Sequence, residues 1–149
     1  MKTILSCTDF SSVTEKILDY SAQLGKAFGY KIYIVHIAAP DPDFVGYKPG
    51  PQVIREIRAE ELTEEHKKLL AMKDNLTAQG LDAEALMVQG RTVEEIVNLS
   101  KKFDSEVIVI GSRHHGVLHK AFRGSVLDSV ISESEIPLLV IPQEKKEAE

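Results

Sequence analysis

The sequence predicts an α/β fold, a three-layer sandwich in which a five-stranded parallel sheet carries helices on both faces. Two observations predict it. Short β-branched runs alternate strictly with longer stretches of helical period, which reads βαβαβαβαβ and requires crossover connections. The run at 106–110 (EVIVI) is continuously apolar, as a parallel strand covered on both faces must be.

Residues 2–6 (KTILS) form the first expected strand, and 7–11 a turn. Ser12-Val13-Thr14-Glu15 has the spacing of a capping box, in which the first hydroxyl and the last carboxylate satisfy free amides of a starting helix. The helix that follows repeats apolar residues at Val13, Ile17, Tyr20, Leu24 and Phe28, and Gly29 ends it. Residues 31–37 (KIYIVHI) are the second strand. Residues 38–51 hold four prolines and two glycines, so they read as a long loop. Residues 52–79 form a charged helix with Ile54, Ile57, Leu62, Leu69, Met72 and Leu76 as its buried stripe, stopped by Gly80.

The third strand is 83–89. Thr92-Val93-Glu94-Glu95 is a second capping box, opening a helix to about Phe103. After the fourth strand, 106–110, comes a loop from Gly111 to Arg123, a helix from Ser125 to Glu133, and a last strand from Pro137 to Ile141. The expected organisation is one domain over 1–142 and a charged, frayed tail over 143–149 (QEKKEAE). The strand order expected is 3-2-1-4-5, Rossmann-like. Such sheets take ligands beyond the carboxyl ends of their strands, where the order reverses, so the loops after strands one and four are where function is sought.

Composition narrows the partners. At 149 residues the chain can bury a real core. Its apolar runs fall far short of the roughly 18 residues of a membrane helix, and its first residues lack the apolar stretch of a signal peptide. A formal charge of −5 gives no long-range pull toward nucleic acid or anionic membrane, so neither is an expected partner. With Cys7 as the only cysteine there is no internal disulfide and no cysteine-rich metal site; a reducing cytoplasm fits.

One segment of this acidic chain is locally basic. Residues 111–126 read GSRHHGVLHKAFRGSV. Gly111, Gly116 and Gly124 let a backbone approach a phosphate without a Cβ intervening. Gly124-Ser125 opens a helix, whose free amides and dipole favour an anion. Arg113, His114, His115, His119, Lys120 and Arg123 add positive or donor groups. The same glycines and serine are also ordinary punctuation of α/β folds.

This loop resembles the signature of ATP-binding universal stress proteins, Gly-x2-Gly-x9-Gly-Ser/Thr followed by a helix and a Pro-(Val/Leu)-Leu-Val strand. Gly111, Gly124, Ser125 and Pro137-Leu138-Leu139-Val140 fall in place. Residues 4–11, Val35-His36-Ile37 and 88–96 (VQGRTVEEI) resemble the family's first strand and Asp turn, second-strand end and third-strand exit. The second signature glycine falls on His114, which either adds a donor to the phosphates or crowds them while Gly116 supplies the flexibility.

The resemblance implies an adenine nucleotide, ATP or else ADP or AMP, with Mg²⁺ if a triphosphate is bound. The implied contacts are Thr8, Asp9, Ile37, Ile110, Gly111, Arg113, His114, Gly116, Gly124, Ser125 and Val126. Asp9 would accept hydrogen bonds from adenine or ribose, and Ile37 would pack on the base. A plain turn aspartate and a strand-end core residue are the competing readings of those two. The resemblance further implies a homodimer through the last strand, Pro137 to Ile141, an apolar edge otherwise left open.

No catalytic residue and no metal site is expected. Walker and pyrophosphatase loops are absent, no pair of carboxylates is placed for acid–base work, and Cys7 reads as a small buried hydrophobe. His36 and His66 read as structural. His114, His115 and His119 lack a carboxylate at ligand spacing. The alternatives are weak ATP hydrolysis, since a bound triphosphate with Mg²⁺ needs only a positioned water, and a nucleotide-free interaction scaffold.

Overall fold

The computed structural model describes residues 2–38, 51–112 and 126–143, with 51–55 as backbone only. Nine elements follow in order: β1 Thr3–Cys7, α1 Thr14–Phe28, β2 Lys31–Ala38, α2 Pro51–Ala78, β3 Ala83–Gln89, α3 Thr92–Lys102, β4 Ser105–Ser112, α4 Val126–Glu133 and β5 Leu138–Pro142. The strands form one parallel sheet in the order β3-β2-β1-β4-β5. The expected fold class and strand order are therefore those of the molecule.

Alternation along β1 divides the core in two. Ile4 belongs to a cluster with Val13, Ile17, Ile32, Ile34, Leu69 and Leu76, under α1 and α2. Leu5 and Cys7 belong to the other, with Ile96, Leu99, Ile108, Ile110 and Val130, under α3 and α4. Each helix pair thus covers one face.

Several local expectations give way to tertiary contacts. The stripe expected on α1 is only partly buried: Tyr20 is 44% and Phe28 61% exposed. The face that meets the sheet is instead Thr14, Ile17, Ser21, Ala22 and Gly25, and at Gly25 α1 lies too close to its neighbours for a larger side chain. A Cβ on Gly25 would sit 3.0 Å from Ile32 Cδ1 and 3.1 Å from Leu81 Cδ2. On α2, Leu69 and Leu76 are buried while Ile57 is exposed; the side chain of Ile54 lies outside the described residues.

Neither capping box forms. Val13 occupies the N-cap of α1 and Arg91 that of α3, both without a side-chain cap bond. The Ser12 hydroxyl accepts from Gln143 Nε2 at 2.8 Å instead. Gly29 (φ 71°) and Gly80 (φ 85°) adopt the left-handed conformation that ends their helices.

Strand β4 runs two residues past the expected 110, so Gly111 and Ser112 belong to the sheet and pair with Ile141 and Pro142. Ala38, expected in a loop, completes β2, and Pro51 begins α2. Gln143 donates its backbone N–H to Ser112 O at 3.1 Å, which ties the first residue of the expected tail to the sheet.

Candidate functional site

The chain leaves β1 toward β2 on one side, while β4 leads to β5 on the other. The order reverses between β1 and β4, so the crevice of such a fold opens beyond Cys7 and Ser112. On the β1 side the backbone turns sharply at Thr8–Ser11.

Thr8 is buried and fully engaged. Its N–H donates to Val35 O at 2.9 Å, its Oγ1 lies 2.9 Å from Thr14 Oγ1 and accepts the Phe10 N–H at 3.0 Å, and its carbonyl is 2.9 Å from His36 Nδ1. The Thr8 hydroxyl thus holds the start of α1 and the turn together. Asp9 is exposed, and its Oδ1 accepts the Ser11 N–H at 3.0 Å. That is an Asx turn, which fixes the carboxylate against the backbone of the turn. The Ser11 hydroxyl is buried and has no hydrogen-bond partner among the described residues, although a buried hydroxyl costs free energy until one is found.

Phe10 has φ 63°, in the left-handed region that aromatic residues rarely occupy. Its ring packs on His36 with centroids 4.6 Å apart, and Lys68 Nζ lies 5.5 Å from its centre. His36 Nε2 reaches Glu65 Oε2 of α2 at 2.6 Å. His66, which reads as structural in the sequence, is exposed, whereas Glu65 beside it is half-buried and turns inward. The part played by Glu65 and His36 carries no sequence signal, because it depends on which residue of a long charged helix faces the end of β2.

On the β4 side, Ile110 is buried under α3 and α4 and is a core residue. Gly111 has a packing reason of its own: a Cβ there would lie 2.6 Å from Val13 Cγ1 and 3.4 Å from Ile17 Cδ1. The space in front of Gly111 is filled by α1. Ile37 is half-buried at the end of β2, packed against the α3/α4 core. Val126 is exposed at the first turn of α4. The remaining candidates, Arg113, His114, Gly116, Gly124 and Ser125, lie outside the described residues, as do His115 and His119.

Cys7 is buried, with 9% of its surface exposed, and burial pushes its thiol from 9.0 up to about 12. It is a neutral apolar side chain of the core, not a nucleophile. Among the described residues no helix is long and apolar enough to cross a membrane.

Comparison with known proteins fits this geometry. Residues 1–142 match the model of the Universal stress protein family. A universal stress protein of Methanocaldococcus jannaschii, MJ0531, is 29% identical over 98% of this chain and 85% of its own length. The solved structure of a hypothetical protein, MJ0577, superposes with a TM-score of 0.77 at 25% identity, covering 97% of this chain and 98% of that one. The universal stress protein from Archaeoglobus fulgidus, solved in complex with dAMP, superposes with a TM-score of 0.69 at 21% identity over 95% of this chain and 98% of its own.

Proposed function

The chain belongs to the universal stress protein family, and on that premise we propose that it is a non-enzymatic, cytoplasmic adenine-nucleotide-binding module of stress response. The carrying observation is the turn after β1. It presents an oriented Asp9 carboxylate at the strand-order reversal and leaves the Ser11 hydroxyl buried without a partner among the described residues. A ribose hydroxyl or phosphate oxygen entering the crevice would satisfy Ser11. Asp9 accepts from the ribose or base, and the half-buried Ile37 supplies an apolar surface for adenine. Arg113, His114, Gly116, Gly124, Ser125 and the first turn of α4 at Val126 hold the phosphates, with Gly111 at the strand end. The dAMP complex of the Archaeoglobus fulgidus relative supports an adenine nucleotide as the ligand class. ATP is the nucleotide we assign, with Mg²⁺ neutralising the triphosphate.

The test is to denature the purified protein, identify released nucleotide by mass spectrometry, and titrate the emptied protein with ATP, ADP and AMP by calorimetry. Asp9→Ala is expected to weaken nucleotide binding about tenfold, the loss of one charge-assisted hydrogen bond. A protein that is both empty and silent toward all three nucleotides is a scaffold instead. That second reading has specific support: Gly111 is accounted for by Val13 and the Asp9 carboxylate by its Asx turn, with no ligand needed for either. In both readings β5 is the edge through which two copies pair. Light scattering that finds a monomer at micromolar concentration overturns the pairing.

A further inference from the structure

We propose that helix α2 positions the nucleotide site through His36, with the Glu65–His36 pair holding the turn after β1 in the conformation that presents Asp9. The functional half of this inference rests on the nucleotide reading above; the structural half does not.

Thr8 O can only accept, so His36 Nδ1 carries a proton and donates it at 2.9 Å. That fixes the ring and points Nε2 at Glu65, 2.6 Å away on α2. Both side chains are largely shielded, 13% and 22% exposed, so solvent screens the contact less than it screens a surface pair. The ring so fixed is the surface on which Phe10 packs. Phe10 in turn is the left-handed residue of the turn, a backbone state that persists only where its surroundings over-determine it.

Three contacts provide that over-determination: the Phe10 N–H to Thr8 Oγ1, the ring against His36, and Lys68 above the ring. Glu65 and Lys68 are three residues apart on α2 and therefore share a face. One helical turn of α2 thus grips both residues that shape the turn carrying Asp9. His36 and Glu65 are positioning residues, since neither needs to touch the ligand.

The test compares wild type with Glu65→Ala, Glu65→Gln and Glu65→Asp, reading backbone amide exchange by NMR and ATP affinity by calorimetry. Glu65→Ala is expected to speed exchange at Phe10 and Ser11 about tenfold while Ile4 and Leu5 stay protected, as a local opening does. It is also expected to weaken ATP binding about tenfold. Glu65→Gln can still meet Nε2, its amide oxygen accepting if that nitrogen carries a proton and its amide nitrogen donating if it does not, and should stay within about twofold of wild type in both readings. Should Glu65→Ala fail to fold, Glu65→Asp, which shortens the reach by one carbon, is expected to give a smaller rise at the same two amides.

Unchanged exchange at Phe10 and Ser11, a uniform rise across β1, or a Gln variant as impaired as the Ala variant each overturns the proposal. A wild type that binds no ATP sinks the nucleotide reading alone, and the exchange results still decide whether α2 holds the turn.

Discussion

The two faces of the sheet are built by different rules. Under α3 and α4, β1 presents Leu5 and Cys7 to Ile96, Leu99 and Val130, an apolar packing that fixes distance but little else. Under α1 and α2, the same strand presents Ile4 and Ser6, with Thr8 just beyond its end. Ser21 Oγ donates to Ile17 O at 2.7 Å, so at 2.6 Å it accepts the Ser6 proton, and Thr8 meets Thr14. These directional bonds set the position of α1 along β1 as well as its height above the sheet. The Gly25 and Gly111 contacts show how low that height is. The difference teaches what holds the turn after β1: its Thr8 bonds to Thr14 and His36 keep it in register, which apolar burial alone does not do.

The largest effect that would break this contrast is expected from Gly111→Ala. The new Cβ meets the branched Val13 side chain at the start of α1, and overpacking of this kind costs about 2 kcal/mol. Urea denaturation should find that loss, and Val13→Ala in the same background should recover more than half of it. If Gly111→Ala is neutral, α1 is not held where the hydroxyl bonds put it.

Ser21→Ala comes next, at about 1–2 kcal/mol, because it leaves the buried Ser6 hydroxyl without its acceptor. The Ser6→Ala/Ser21→Ala double variant should lose less than the sum of the singles. Strict additivity would mean the pair contributes burial only.

The effect that is smallest near neutral pH belongs to Cys7 on the opposite face, and it grows only above pH 9.0. Its folded pKa, raised by burial to about 12, lies above the ordinary 9.0, so above pH 9 the unfolded chain releases a proton that the folded chain keeps. The stability this gives is complete below pH 9.0 and declines as pH rises toward 12, by at most about 1.4 kcal/mol per pH unit. Cys7→Ala should flatten that decline, and native protein at pH 8 should resist iodoacetamide until it is denatured. Rapid labelling of the native thiol would show that this face is not closed.

Much of the fold was legible. Strand β3 has the expected bounds, 83–89, because a short, mostly apolar run between Gly80 and Gly90 needs no tertiary information to be recognised. The order of elements followed from hydrophobic period alone. What failed was local logic overruled at a distance. Ser12 has capping spacing but bonds Gln143, 131 positions away. Tyr20 and Phe28 keep helical period but lose their burial to Ser21 and Gly25, since the hydroxyl pairing with Ser6 draws α1 close to the strands. In the turn after β1, the Asx bond of Asp9 to the Ser11 N–H was legible as the turn aspartate that its place after a strand suggests. His36 and Glu65 were not, because their partnership arises only when α2 folds back over β2. Gly111 was noticed as a glycine, but its reason is a neighbouring valine.

The central position of β1 has a consequence for the order of assembly. Its pairing with β2 joins Thr3 to Lys31, whereas its pairing with β4 joins Thr3 to Ser105, a far longer loop to close. During synthesis the first three strands and two helices can come together while β1 still has one open flank. That flank carries Ile4 and Leu5, both fully buried in the finished protein, and a bare strand edge of this kind invites pairing with other chains. The hazard ends only when β4, more than two-thirds of the way along the polypeptide, emerges and docks.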